Sequence, residues 1–155
     1  MTVELNIQGM DQLKRKLDQL SNPKKAKQIA RKTGRQAMNL VRDAARTNAK
    51  AIDDPKTREK IHKNIVTQGG KSRNSSEIVI RVGVKGGAGR NQHSVSTAGL
   101  SGGDTRHFRY IKFGTSKIPA TPFLRPSLSQ NLDKVTTKFV QIFDAEITKA
   151  LSGVT

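Results

Sequence analysis

The chain has 155 residues, no cysteine and a formal net charge of +17, from 29 Lys and Arg against 12 Asp and Glu. That length suits one domain around one hydrophobic centre, and the missing cysteines exclude a disulfide framework and a thiolate metal site. No run approaches the ~18 consecutive apolar residues of a membrane span, and the first residues lack the charged and apolar regions of a signal peptide, so synthesis in the cytoplasm and no membrane contact are expected.

In chain order, Thr2 to Gln8 alternates Val3, Leu5 and Ile7 with polar residues, which predicts a half-buried strand. Gly9 ends it. Met10 to Leu20 reads as a short helix with Leu13, Leu17 and Leu20 on one face. Asn22 is a good N-cap and Pro23 suits a first helical turn, so a long helix is predicted from Pro23 to about Lys50. Its apolar stripe reads Ala26, Ala30, Thr33, Ala37, Leu40, Ala44 and Asn48, widened by Ile29 and Val41. Small residues there allow close approach of a neighbour. Gly34, inside the helix, costs about 1 kcal/mol relative to Ala. Lys27, Arg31, Arg35, Arg42 and Arg46 are expected to run down the opposite side as a basic stripe. Residues 22–50 hold nine basic and one acidic side chain, and residues 119–155 are close to neutral. The stripe is therefore a candidate surface for DNA or an acidic partner, with Lys85 and Arg90 as further candidates.

Asp53-Asp54-Pro55 predicts a turn, and Lys56 to Lys63 one or two helical turns capped by Thr57. Strands are predicted over Asn64–Gln68 and Glu77–Lys85, joined by a polar loop into an antiparallel hairpin. A flexible Gly/Ser-rich loop is expected at about 86–105. His107 to Phe113 suits either a strand or a helical turn. A last helix is predicted over Ser127–Ser152, with Leu128, Leu132, Val135, Phe139, Ile142, Phe143, Ile147 and Leu151 on one face and Gly153 as C-cap. The expected fold class is α+β: a small antiparallel sheet packed against a long N-terminal and a long C-terminal helix, in a single domain spanning 1–155.

The stretch from Tyr110 to Leu128 is the most distinctive in the chain. Phe113-Gly114-Thr115 puts a glycine after an aromatic residue, where a positive φ or a close backbone contact is expected. Pro119, Pro122 and Pro126 stiffen the connector and delay the helix. Phe123 and Leu124 should dock into the core, while Arg125 should satisfy carbonyls or pair with a carboxylate. Together Tyr110, Phe113, Gly114, Thr115, Pro119, Ala120, Pro122, Phe123, Leu124, Arg125 and Pro126 resemble the signature of the neck, head–tail connector or tail-completion proteins of lambda-like and HK-type siphophages. Lys112 stands where that family commonly carries an acid. The resemblance implies a virion protein of the head–tail junction, assembled in the host cytoplasm as a hexameric ring around the DNA channel. Its implied partners are head-closure and tail-terminator or tail-tube proteins, with non-specific contact to the genome. The rival expectations are a sequence-independent nucleic-acid-binding protein and a minor tail protein.

Catalysis is not expected, and neither is a cofactor. His62, His93 and His107 lack zinc-site spacing. His93, Ser94 and Asp104 would make a triad only in a loop with nothing to hold its geometry. Gly86-Gly87-Ala88-Gly89-Arg90 follows a strand, but no helix bearing Lys-Ser/Thr comes after it, so the phosphate-loop reading fails.

Overall fold

The computed structural model describes residues 10–86 and 97–153; the expected strand Thr2–Gln8, Arg90, His93 and Ser94 lie outside them. Among the described residues the chain is α+β, as expected. Helices α1 (Met10–Gln19), α2 (Pro23–Ile52) and α3 (Ile61–Asn64) precede the strands β1 (Ile65–Gly70) and β2 (Val79–Val84). Helices α4 (Phe108–Phe113), α5 (Leu124–Ser129) and α6 (Leu132–Leu151) follow.

Helix α2 is the axis of the molecule. It starts as its sequence predicts: Pro23 sits in the first turn, and Asn22 Oδ1 accepts from the amides of Lys24 at 3.1 Å and Lys25 at 3.3 Å. Its buried face is Ile29, Thr33, Gly34, Ala37, Val41, Ala45 and Ala49. That corrects the predicted stripe, which placed Leu40, Ala44 and Asn48 inside. A step of four residues overshoots a full turn by about 40°, so the buried line winds as the helix changes partners. Its N-terminal half packs on α1 and α6, through a cluster of Leu13, Ile29, Phe143 and Ile147. Its C-terminal half faces a second cluster of Ala45, Ala49, Ile61, Ile65, Val84, Phe108 and Phe123.

The hairpin is antiparallel, with Ile65 opposite Val84, Thr67 opposite Val82 and Gly69 opposite Ile80. These pairs share one face, because side chains alternate along a strand. That face meets α2: Thr67 Oγ1 donates to Asn39 Oδ1 at 3.1 Å, and a Cβ on Gly34 would lie 3.0 Å from Ile80 Cγ1. Gly34 thus serves close helix–sheet packing. The strands begin later than predicted, and β1 extends through both Gly69 and Gly70.

Two further expectations are corrected: the Thr57 cap and the unbroken last helix. The turn before β1 is α3, and Thr57 does not cap it. The Asp53 carboxylate does, accepting from the amides of Ile61 at 2.7 Å and His62 at 3.1 Å. Residues 97–105, the described end of the loop expected at about 86–105, form turns. The Gly102 carbonyl accepts from Lys60 N at 2.8 Å. The final helix is broken in two. Asn131 Nδ2 donates to Ser127 O at 2.9 Å and its own amide turns to Leu128 O at 3.1 Å, which displaces the helical bond at that point. Leu128, placed inside by the sequence pattern, is 43% exposed as a result. The open alternative at 107–113 is settled as helix α4.

Candidate assembly surface

The motif segment is held at both ends and projects between them. Its N-terminal anchor is a polar latch under α4. Buried Asn64 donates from Nδ2 to Gly103 O at 2.9 Å and to Thr105 Oγ1 at 2.7 Å, and its Oδ1 accepts from Gly102 N at 2.8 Å. Each polar atom of the Asn64 amide is used, which is what a buried amide requires. A Cβ on Gly102 would lie 2.2 Å from Lys60 O, so this position admits only glycine. Beside the latch, Asp104 accepts from Arg106 Nε at 2.8 and 2.9 Å. That side-chain hydrogen bond, against a smaller opposing effect of burial, holds the Asp104 carboxyl below its ordinary range and raises the Arg106 guanidinium.

Phe108 then buries itself in the core and α4 runs to Phe113. Gly114 ends the helix with φ 74°, and a Cβ there would meet Ala120 N at 2.8 Å. The chain folds back on itself. Thr115 N donates to Ile118 O at 2.8 Å, Thr115 Oγ1 accepts from Lys117 N and Ile118 N, and Thr121 N returns to Ile111 O at 2.8 Å. The expected glycine conformation and the stiff connector are thereby accounted for. Pro119 and Pro122 lie exposed on the returning limb.

Phe123, 2% exposed, is the second anchor, with Leu124 half-buried beside it, as predicted. Ser127 Oγ donates to Phe123 O at 2.6 Å and accepts from Asn48 Nδ2 at 3.0 Å, which ties α5 to α2. Pro126 falls in the first turn of α5, where its missing N–H has no helical partner to lose. Arg125 departs from expectation: it is exposed, and no ion pair among the described residues includes it.

Between the anchors an apolar ridge faces outward. Tyr110 is 51% exposed, Phe113 70% and Ile118 53%, with Leu128 close by in sequence. Four of the five large exposed hydrophobic side chains among the described residues belong to the motif segment, so they gather within one stretch of the chain. Concentrated apolar surface marks contact sites. The Lys112 ammonium sits 4.7 Å from the Phe113 ring centroid, within cation–π range.

No protein-family model, curated protein or solved structure matches the chain.

The basic stripe is not one surface. It flanks the packed face of α2 rather than opposing it, because the hairpin lies along that side. Arg46 donates from Nε at 3.0 Å and Nη2 at 2.8 Å to Ile65 O, which commits it to the fold. Lys27 Nζ reaches the Ser75 carbonyl, and Arg42 pairs with neighbouring Asp43 at 2.8 Å. Arg31 and Arg35 remain, lining a polar notch of about 200 Å³ with Gly69, Gly70 and the carboxylate of Glu77. Lys85 is exposed on the strand end. Among the described residues, no three His, Cys, Asp or Glu cluster as metal ligands, and no helix is long and apolar enough to cross a membrane.

Sequence reasoning missed Asn64, Gly102 and Asn48, whose roles are contacts between distant segments. It also missed a second feature beside the ridge. A cleft of about 380 Å³ lies between β2 and α5, lined by Met38, Val41, Ile80, Val82, Leu124 and Leu128 and rimmed by Arg81, Lys112 and Arg125.

Proposed function

We propose that the chain is a structural protein of the phage head–tail junction. It acts by contact rather than catalysis, as a closed ring of identical copies around the DNA channel. The observation that carries this reading is the ridge of Tyr110, Phe113 and Ile118, held out between buried Phe108 and Phe123 within the stretch that resembles the neck proteins. An apolar ridge suits a repeated contact with a neighbouring copy, and a head-to-tail contact gives a ring where the rotation between copies closes and a filament where it does not. The surplus of positive charge suits a lumen through which a phosphate backbone passes without being read.

Native mass spectrometry and sedimentation velocity test the reading. The wild-type chain should form a discrete ring, and a Phe113→Ser, Ile118→Ser double variant should stay monomeric with its fold intact by circular dichroism, since both side chains are exposed. A wild-type chain that remains monomeric at high concentration, and is absent from assembled particles, would overturn it. The second reading, a sequence-independent nucleic-acid-binding protein, is favoured by the +17 charge and by Arg31 and Arg35, which no ion pair among the described residues engages. A monomer that shifts duplex DNA at near-physiological salt would select it.

A further inference from the structure

The cleft beside β2 has a chemistry that the ring does not use. Ile80, Arg81 and Val82 are consecutive in β2, yet all three line it. Successive strand residues point to opposite faces, so a cavity touching all three runs along the strand's edge. Among the described residues β2 pairs with β1 alone, which leaves that outer edge without a strand neighbour. The floor is aliphatic: Met38 and Val41 of α2, and Leu124 and Leu128 of α5, complete it. Three cations, Arg81, Lys112 and Arg125, stand at the rim, with no carboxylate among the lining residues. No ion pair among the described residues neutralises any of the three.

We propose that this cleft docks an extended segment of a different protein, one carrying apolar side chains flanked by carboxylates. The open edge offers main-chain pairing and the floor offers a site for alternate side chains, which is the mode of strand addition. The cationic rim selects the flanking charge. Duplex DNA meets the cations but leaves the apolar lining uncovered. The volume, about 380 Å³, falls within the range of roughly 300–1,000 Å³ for clefts that enclose a ligand group.

The inference needs no ring, and its test is separable from that of the assembly. The probe is a fluorescein-labelled peptide with a Leu-Phe-Leu centre and two glutamates on each side, titrated into the full chain at about 150 mM salt. Saturable binding is expected. It should weaken at least about tenfold when lysines replace the glutamates, or when Ser-Gly-Ser replaces the centre. An Arg81→Glu, Arg125→Glu double variant should lose about the same factor, with its fold intact by circular dichroism because both side chains are exposed. Equal binding of the peptide without an apolar centre, or unchanged affinity in the double variant, overturns the proposal. So does displacement of the probe by duplex DNA, or by a peptide copying residues 1–9. Peptide binding by a chain that forms no ring sustains the cleft and removes the assembly.

Discussion

At the scale of single residues, the fold depends on side chains whose value lies in what they exclude. Gly102 is the clearest case, with the Lys60 carbonyl and the Asn64 amide where a Cβ would go. Gly102→Ala should therefore destabilise by about 1–3 kcal/mol through forced backbone shifts, read by urea denaturation. None of this is visible in the sequence, where Gly102-Gly103 is one more glycine pair in a polar stretch. Asp104 makes a different prediction. Its folded carboxyl titrates below the ordinary value of 3.8, chiefly through the Arg106 hydrogen bond. A depressed folded value means that its stabilisation is complete above the unfolded value and disappears as pH falls through the folded one. Asp104→Asn should thus differ from wild type by a constant small amount at neutral pH, and the two should converge as pH falls below about 4. A carboxyl carbon titration by NMR gives the folded value directly, and a value at or above 3.8 would refute the assignment.

At the scale of elements, what the sequence disclosed depended on how local the cause was. The start of α2 was legible because Asn22 and Pro23 act within one turn. The anchoring of Phe123 was legible because few apolar residues sit between prolines without a core to enter. The winding of the α2 face was not, because it depends on α6 packing on one half and the hairpin on the other. The split between α5 and α6 was hidden for a similar reason: Asn131 competes for the Ser127 carbonyl only in that one local geometry. Of the basic stripe, the sequence supplied the residues but not their division into Arg46 as a fold contact and Arg31 and Arg35 as surface. Gly34 supplies the prediction at this scale. Ala gains up to about 1 kcal/mol in helix propensity, and the 3.0 Å neighbour, Ile80, borders an open cleft into which its side chain can shift. Gly34→Ala should raise the melting temperature, whereas Gly34→Leu should lower it; the reverse order would show that the α2–β2 spacing is rigid.

At the scale of the whole molecule, charge and architecture separate. The first two-thirds of the chain carry the positive excess, while α6 is nearly neutral and packs. The contact with DNA proposed above should weaken steeply with salt. An Arg31→Glu, Arg35→Glu pair should lower the magnitude of the log–log salt slope by about two. Arg46→Ala should leave that slope unchanged and cost about 1–2 kcal/mol of stability instead, since the Ile65 carbonyl loses both of its donors. Filter binding across a salt series, with denaturation of the same variants, distinguishes the two roles.

The Asp53 carboxylate has one more practical meaning. A single residue closes α2 and opens α3, and Lys60 is separately fastened to Gly102. The stretch from Pro55 to Arg58 is in consequence an exposed bight, its two ends already knotted together beneath it. Its length is nearly free to vary, because a longer surface loop costs only slowly rising closure entropy. A small fluorophore or affinity handle spliced there would ride on the outside of the molecule, leaving ridge and cleft untouched and making the protein easy to follow.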